Sequence, residues 1–291
     1  MTAVLRTIAA TRQWVRVERT AGHSIGLVPT MGALHEGHLS LVRRSRQRCH
    51  CTIVSIFVNS LQFGPGEDYG RYPRVFDQDL SLLEGEGVDA VFHPEPQEMY
   101  PEPLSFTVTP GRLGEPLCGA SRPGHFAGVA TVVAKLLNIV QPDCAFFGQK
   151  DAQQALIIQR MVEDLNFPLE VEVCPTVREP DGLAMSSRNA YMTPDERSRS
   201  TALYRALQAA EALARSGVRD AARLEQEMIA VIRSTPGAEL DYARVVNPRS
   251  LEPVQHMDGP VLATLAVRFG KTRLIDNMTI VVPEGKEPAR C

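Results

Sequence analysis

The segment SIGLVPTMGALHEGHLSLVRRSRQRCHCTIVSIFVN, residues 24–59, alternates between strand-like and helix-like patterns. SIGLVPT (24–30) is a short apolar run that ends in Pro and Thr, as a buried strand often does. LSLVRRSRQR (39–48) carries apolar residues at helical spacing, and TIVSIFVN (52–59) is β-branched and almost continuously apolar, which is typical of a central parallel strand. A strand, a helix and a second strand in this order predict a βαβ unit, and therefore a parallel sheet.

The alternation continues along the chain, and we predict an α/β domain over residues 1–177 with a Rossmann-like parallel sheet and helices on both faces. Ligands of such sheets bind beyond the carboxyl ends of the strands. The further elements predicted in this domain are a helix at 77–87, a strand at 88–94, a helix at 125–140, a strand at 144–149, a helix at 151–165 and a strand at 169–177.

The pattern changes near residue 178, which predicts a second, smaller α+β domain over residues 178–291. Thr193 and Pro194 are suited to the N-cap and the first position of a helix. The last nine residues, PEGKEPARC (283–291), are predicted to form a disordered tail. The elements predicted between these points are helices at 195–214 and 219–233, followed by strands at 240–247, 261–269 and 272–282.

The composition excludes several classes of protein. The chain has 291 residues, 44% of them hydrophobic, and a net charge of −3, which gives no overall basic field for nucleic acid. The run RRSRQR (43–48) is either a local basic patch or a solvated helix face, and we favour the second interpretation. No apolar stretch has the length of a membrane span, and the start resembles no secretory signal. We therefore expect a cytoplasmic protein without membrane or nucleic-acid partners.

The six cysteines form no C-x-x-C pair, so we expect reduced thiols. The short run CHC (49–51) has poor spacing for zinc, and it lies where a helix is predicted to give way to a strand.

Polar residues gather where the predicted strands end, and we expect them to converge on one crevice although they are far apart in the sequence. They are His35 and His38 after the first strand, Asn59 and Gln62 after the second, Gln149, Lys150, Asp151 and Gln154 after the strand at 144–149, and Ser186, Ser187 and Arg188 after the strand at 169–177.

His35 and His38 are three residues apart at the start of a predicted helix, so both imidazoles lie on one face. A helix N-terminus offers free N–H groups and a partial positive charge, which favour phosphate. Two other interpretations stay open from the spacing alone. The histidines are two unrelated side chains, or they bind zinc, for which no third ligand follows at helical spacing.

The pattern H-x-G-H after a Pro-Thr-Met-Gly turn resembles the HIGH signature of the nucleotidyltransferase superfamily. Gly37 at its centre lets a ligand approach the backbone closely. The stretch AMSSRN (184–189) resembles the phosphate-binding loop that these enzymes carry late in the chain, here at the start of the second domain. The lysine usual in that loop is absent, so Arg188 and Lys150 would supply the cationic charge.

A longer set of motifs is similar to the pantothenate synthetase, or pantoate–β-alanine ligase, family. The resemblance runs from about residue 25 to 192 without a gap and continues weakly into the second domain. The motifs are PTMGALHEGH (29–38), FVNSLQFG (57–64), DYGRYPR (68–74), RPGHFAGVATVV (122–133), FGQKDAQQ (147–154) and VREPDGLAMSSRN (177–189).

This resemblance implies a reaction and a set of partners. ATP and pantoate would form pantoyl adenylate and pyrophosphate, and the amine of β-alanine would then attack the adenylate to give pantothenate and AMP, within coenzyme A biosynthesis. ATP would enter as a substrate with Mg²⁺, no tightly bound organic cofactor would be needed, and the protein would be a homodimer.

The resemblance also implies roles for individual residues. His38, His35, Lys150 and Arg188 would be catalytic, with His38 as the proton donor that the family is proposed to use. Besides these four, ATP would contact Met31, Gly32, Gly148, Gln149, Asp151, Val177, Met185, Ser186 and Ser187. Pantoate and β-alanine would contact Gln62 and Gln154, with Asn59 and Tyr72 as neighbours.

The sequence departs from the family pattern at three positions. Gln149 and Ala152 stand where many members carry Glu and an aromatic residue, so packing there must differ. Gln78 replaces one acid of a pair that is associated with metal in some family members, which leaves Asp79 as the candidate ligand of a protein-held metal.

Three rival functions are compatible with parts of the sequence. The chain could transfer a nucleotidyl group to another acid or to a phosphorylated substrate, could be a non-catalytic nucleotide-binding protein, or could charge tRNA. The paired glutamines argue against the first, the intact candidate residues against the second, and the lack of an anticodon-reading domain or basic surface against the third.

Overall fold

The computed structural model describes residues 1–281 and divides the chain into two compact units. The first consists of Met1–Val177 with Met185–Ser187, and the second of Arg178–Ala184 with the described residues from Arg188 onward. The chain therefore passes between the units three times around residues 178–188 rather than at one boundary. The tail predicted at 283–291 lies outside the described residues.

The first unit alternates strands and helices, in the following order: β1 (Ala3–Leu5), α1 (Ile8–Thr20), β2 (Ile25–Thr30), α2 (Glu36–Arg48), β3 (Cys51–Ile56), α3 (Phe76–Gly85), β4 (Ala90–Phe92), α4 (Pro96–Met99), α5 (Cys118–Ser121), α6 (His125–Val140), β5 (Cys144–Gly148), α7 (Ala152–Asp164) and β6 (Glu170–Cys174). Single 3₁₀ turns occupy Ser60–Gln62, Asp68–Arg71, Gly111–Gly114, Gln149–Asp151 and Ser187–Tyr191, the last of which continues into the second unit.

The six strands of this unit form one parallel sheet in the order β1-β4-β3-β2-β5-β6. The chain progresses outward in one direction through β2, β3 and β4 and in the other through β5 and β6, so the topological switch point lies between β2 and β5. These two strands pair only at Gly26–Cys144 and Leu27–Ala145. Their carboxyl ends are therefore unpaired with each other, which opens a crevice where ligands of such sheets bind.

Helix α6 is buried over most of its length because it reads as an almost unbroken apolar sequence, HFAGVATVVAKLLNIV. Its residues pack in one core with side chains of β2, β3 and β5, including Leu27, Ile53 and Phe147. Every residue of β3 is buried, as the β-branched run in its sequence predicts.

Helix α2 has exposed arginines that pair with acidic side chains. Arg43 contacts Glu36 and Glu86, and Arg48 contacts Glu170 at 2.8 Å. These pairs agree with the interpretation of RRSRQR as a solvated helix face.

The second unit contains helices α8 (Pro194–Ser200), α9 (Ala202–Arg215) and α10 (Ala221–Arg233), followed by strands β7 (Ala238–Val246), β8 (Val261–Phe269) and β9 (Thr272–Ile280). The strands form an antiparallel sheet in sequential order. The predicted fold class, a Rossmann-like α/β sheet with a smaller α+β part, is confirmed. The prediction of one helix at 195–214 is wrong, because the helix is interrupted at Thr201. There ψ tightens to −15° and the hydroxyl donates to the Ser198 carbonyl.

Within residues 1–281, no helix is both long and apolar enough to cross a membrane. The five cysteines of that range are free thiols.

Candidate active site

The loop after β2 is held by a buried carboxylate. Gly32 and Ala33 have φ angles of +80° and +50°, a conformation that needs support in the case of alanine. The two oxygens of Asp79, which is 2% exposed at the start of α3, accept hydrogen bonds from the backbone N–H groups of Ala33 at 2.9 Å and Leu34 at 2.8 Å. A Cβ on Gly32 would lie 2.8 Å from the same carboxylate, so the close approach requires glycine. Asp79 thus sets the path of the chain into His35.

The two histidines cap the N-terminus of α2. The backbone N–H of Gly37 donates to Nδ1 of His35 at 3.2 Å, and the backbone N–H of His35 donates to Nδ1 of His38 at 3.3 Å. Since each Nδ1 accepts a hydrogen bond, a neutral ring carries its proton on Nε2. The ring centroids are 4.1 Å apart. Two Nε2–H donors are therefore held together at the positive end of a helix.

The pKa of His38 keeps its imidazole neutral at neutral pH. Burial, followed by the charges of His35 and Lys150, lowers its pKa from 6.5 to about 3. Lys150 follows β5 and His38 follows β2, and these strands are neighbours at the switch point. The positive charge of Lys150 therefore lowers the pKa of His38.

Gly37 has a packing reason to be glycine. A Cβ at this position would lie 2.9 Å from Cε1 and 3.0 Å from Nδ1 of His35. Any side chain here would displace the imidazole, so the glycine keeps the cap in place as well as leaving the backbone open to a ligand.

Gln62 lies buried in the turn that follows β3. Its side-chain nitrogen is 3.2 Å from the sulfur of Met31, and its side-chain oxygen accepts from the Asn59 amide at 3.0 Å. Asn59 also donates to the Gly128 carbonyl at 3.1 Å and accepts from the Tyr100 hydroxyl at 2.8 Å. Three residues predicted for the site, Met31, Asn59 and Gln62, are thus in direct contact.

Helix α6 packs against the turn at Ser60–Gln62. A Cβ on Gly128 would lie 2.2 Å from the Leu61 carbonyl oxygen, so only glycine allows the helix this close. The carbonyl of Gln62 accepts from His125 Nδ1 at 2.8 Å and from Arg122 at 3.2 Å, and Arg122 also pairs with Glu67. Burial is the main reason that the pKa of His125 falls to about 4.

The turn after β5 carries further residues that the sequence predicted for the site. Gly148 ends the strand, and Gln149–Asp151 form a 3₁₀ turn in which Lys150 Nζ lies 3.7 Å from an Asp151 carboxylate oxygen. Asp151 occupies the N-cap position of α7. Gln154 is half-buried on the first turn of that helix.

The segment Met185–Ser187 belongs with the first unit. The Met185 N–H donates to the Val177 carbonyl at 3.0 Å, and its Cβ lies 3.8 Å from the Cβ position of Gly37. The Ser187 hydroxyl is 3.1 Å from the Tyr72 hydroxyl. Arg188 belongs to the second unit, and its role stays a prediction.

Comparisons with known proteins show the family of this chain. The family model for pantoate-beta-alanine ligase matches residues 3–279. The chain belongs to the pantoate–β-alanine ligase family. A pantothenate synthetase of Pelotomaculum thermopropionicum is 54% identical over 274 residues, which cover 94% of this chain and 97% of the relative.

Solved structures of the family have the same fold. The pantothenate synthetase of Thermus thermophilus gives a TM-score of 0.91 at 46% identity, covering 95% of this chain and 99% of the other. The pantoate-beta-alanine ligase of Francisella tularensis, determined in complex with beta-gamma ATP and β-alanine, gives 0.78 at 33% identity, covering 96% and 98%. The family predicted from the sequence motifs is therefore confirmed.

Membership of the pantoate–β-alanine ligase family leaves the individual roles of the residues as predictions. Arg122 and His125, which hold the turn of Gln62, were not among the residues predicted for the site. The motif RPGH contained both, but nothing local in it indicated their partner, because that partner is a backbone carbonyl 60 residues earlier.

Proposed function

We propose that this chain condenses pantoate with β-alanine in an ATP-dependent reaction that yields pantothenate, AMP and pyrophosphate through a pantoyl-adenylate intermediate. The observation that carries the proposal is the pair of Nε2–H donors of His35 and His38 at the N-terminus of α2, held beside the switch point. Family membership and the ATP and β-alanine bound by the Francisella enzyme support the same activity.

The first step is adenylation. A carboxylate oxygen of pantoate attacks the α-phosphorus of ATP, the new O–P bond forms, and the bond to pyrophosphate breaks with its electrons. Negative charge grows on pyrophosphate, so stabilisation of that charge is the main task of the protein. We assign it to His35, His38 and Lys150, with the N–H groups of the α2 N-terminus.

His38 begins this step as a neutral hydrogen-bond donor. Its pKa of about 3 leaves no proton on Nδ1 at neutral pH, and that atom already accepts from the His35 backbone. A triphosphate beside it would raise the pKa, because a nearby negative charge favours imidazolium. His38 would then become able to donate a proton to the leaving group only after ATP has bound, because the bound triphosphate raises its pKa.

Pantoate has two hydroxyls and a carboxylate. A side-chain amide can bind all of these groups, because its NH₂ donates hydrogen bonds and its carbonyl oxygen accepts them. We assign this binding to Gln62 and Gln154, with Asn59 and Tyr72 beside them. The Asn59 contact already fixes the side-chain oxygen of Gln62. Its nitrogen faces the sulfur of Met31, a weak acceptor, so a substrate oxygen would be a better partner.

Asp79 does not fit a protein-held metal. Its carboxylate is buried, burial raises its pKa, and both oxygens accept backbone N–H groups of the Gly32–Leu34 loop. We infer that Mg²⁺ enters with ATP as part of the substrate, with several of its waters.

The second step is amide formation. The neutral amine of β-alanine attacks the acyl carbon of the adenylate, a C–N bond forms, and the C–O bond to AMP breaks with its electrons. The amine proton passes to solvent. Because the adenylate is already activated, positioning is the main requirement in this step.

Release of AMP and pyrophosphate from ATP tests the function. Both should require pantoate, and AMP release should also require β-alanine. AMP release driven by other acids, or by none, would favour a different nucleotidyl transferase. ATP binding without turnover would favour a non-catalytic protein.

The homodimer and the cytoplasmic location stay predictions from the sequence. Sedimentation equilibrium of the full chain tests the first.

A further inference from the structure

Three chemically different side chains converge at the edge of the first unit's sheet where the strands begin. Glu18 lies near the end of α1, His23 in the loop before β2, and Cys51 is the first residue of β3. Cys51 Sγ lies 3.2 Å from Glu18 Oε2 and 3.7 Å from His23 Nδ1, and those two atoms are 2.8 Å apart. The candidate active site follows the other ends of the same strands. Five residue rises along β3, at about 3.3 Å each, separate the two edges by roughly 17 Å.

The local backbone brings these groups together. Gly22, with φ +81°, turns the chain sharply after α1, and the His23 N–H donates to the Glu18 carbonyl at 3.0 Å. The Cys51 N–H donates to the Ser24 carbonyl at 3.0 Å, which places the start of β3 beside this loop. The His50 ring stacks on the His23 ring at a centroid distance of 5.7 Å, and its Nδ1 is hydrogen-bonded to the Ser24 hydroxyl at 2.7 Å, so His50 packs against His23.

We propose that Glu18, His23 and Cys51 form a binding site for a borderline-soft divalent cation, with Zn²⁺ as the best match. One thiolate, one imidazole and one carboxylate are the ligand types that zinc takes, whereas Mg²⁺ and Ca²⁺ prefer oxygen alone. Bonds of about 2.3 Å to sulfur and 2.0 Å to nitrogen place those atoms about 3.5 Å apart in a tetrahedral site. The observed separation is 3.7 Å.

The carboxylate oxygen is closer to its two neighbours than a metal would allow, because it now accepts hydrogen bonds from them. Glu18 has three side-chain torsions and 21% exposure, and His23 has 43%, so both can move outward by a few tenths of an ångström. Their exposure also gives a cation a path to the buried sulfur. The fourth position of a tetrahedron would be filled by water.

Metal binding replaces protons in a balanced exchange. The Sγ–H bond of Cys51 breaks, an Sγ–metal bond forms, and the proton goes to solvent. The Nδ1–H bond of His23, which donates to Glu18, also breaks and releases its proton to solvent, while Nε2 takes up a proton from solvent, so the neutral ring binds the metal through Nδ1. Burial and the Glu18 hydrogen bond raise the pKa of the Cys51 thiol to about 12, so the protonated thiol is a poor nucleophile.

Cobalt(II) is the probe that distinguishes this site from others, since a cobalt–thiolate bond gives an intense near-ultraviolet charge-transfer band. The experiment uses the full chain carrying Cys291→Ser, which removes a thiol outside the described residues. We expect one equivalent of Co²⁺ to produce the band and Zn²⁺ to displace it. Cobalt at His35 and His38 would produce no such band.

Variants assign the ligands. Cys51→Ser should abolish the band, and His23→Ala and Glu18→Gln should weaken binding by more than the 10–100-fold that loss of an outer partner costs. Cys49→Ser is the matched control, because it removes a thiol two residues away and should leave the band unchanged. AMP formation from ATP, pantoate and β-alanine should persist in each variant, which shows that it has folded.

The proposal fails if the parent chain binds no Co²⁺ with a thiolate band. It also fails if the band survives Cys51→Ser, or if Cys49→Ser abolishes it. In those cases the three side chains are a hydrogen-bonded cluster, and the cation, if bound, lies elsewhere.

Discussion

The carboxylate of Asp79 accepts a hydrogen bond from the backbone N–H of Leu34 at 2.8 Å, one residue before the first histidine of the H-x-G-H motif. Its second oxygen accepts the N–H of Ala33, whose φ is positive. Helix α3 therefore determines the path of the loop that delivers His35 and His38 to the N-terminus of α2. The candidate catalytic residues depend on a side chain more than 40 positions later.

We expect Asp79→Asn to lower kcat/KM for ATP on the order of 100-fold, because a misplacement of about 1 Å in a catalytic group has that effect. The amide would turn its NH₂ toward one backbone N–H and leave that donor unpaired, at a cost of about 1–3 kcal/mol. Steady-state kinetics and thermal unfolding measure the two effects. Asp77→Asn, an exposed change on the same helix, is the control. An unchanged rate in Asp79→Asn would contradict the positioning role.

Gln153 and Gln154 are neighbours with different predicted roles. Gln153 is buried, accepts from the Cys118 N–H at 3.1 Å, and donates to the carbonyls of Leu113 and Pro116. Gln153→Ala should lower the free energy of unfolding by roughly 1–3 kcal/mol, since buried groups lose their partners. Denaturant unfolding measures this loss.

Gln154→Ala and Gln62→Ala should instead raise the KM for pantoate, with ATP binding little changed. Calorimetric titration with ATP and initial rates at varied pantoate distinguish the two. A collapse of ATP affinity with unchanged dependence on pantoate would show that the amides do not bind pantoate.

Lys150→Ala should separate the two chemical steps. Pyrophosphate develops charge in the first step, whereas AMP leaves an activated adenylate in the second, so the cation matters more in the first. In single turnover without β-alanine, pyrophosphate release should fall on the order of 10²–10³-fold. The same variant supplied with preformed pantoyl adenylate should make pantothenate with a much smaller loss.

The unaltered chain is the control for that experiment. If it releases no pyrophosphate until β-alanine is added, the adenylate-first order fails for this protein. Equal losses in both steps would make Lys150 a general binding residue.

His38 should make the fold less stable in acid. Its pKa is about 3 when folded against an ordinary 6.5, so the unfolded chain binds the extra proton between these values. The contribution of His38 is fully present above pH 6.5 and is lost as the pH falls toward 3, by at most about 1.4 kcal/mol per pH unit. His38→Asn, which keeps an acceptor for the His35 N–H, should reduce this acid sensitivity.

Denaturant unfolding at about pH 7 and about pH 4.5, on either side of the ordinary histidine pKa, measures the effect. His256→Asn, a change at an exposed histidine, should leave the acid sensitivity as it is. An identical pH dependence in His38→Asn and the parent would show that His38 is already able to take a proton in the folded protein.

The sequence by itself determined the local elements and the family. Residues 24–59 predict strand, helix and strand because their apolar residues recur at spacings of about two and 3.6, and the structure has β2, α2 and β3 there. The predicted helix at 125–140 matches α6 because a long apolar run ends before Pro142. H-x-G-H and the motifs at 57–64 and 147–154 identified the family because their residues are close in sequence.

The tertiary structure alone decided which strands are neighbours and what distant side chains do. Local periodicity does not encode strand order, so the switch point between β2 and β5 emerges only when the sheet is assembled. The sequence suggested Asp79 as a metal ligand, but its oxygens accept hydrogen bonds from the backbone N–H groups of Ala33 and Leu34, about 45 residues earlier in the chain. The spacing of Glu18, His23 and Cys51 in the sequence is not that of a zinc motif. They meet only because helix α1, the loop before β2 and strand β3 pack together. Contacts of this kind depend on how elements pack, and no local pattern carries that information.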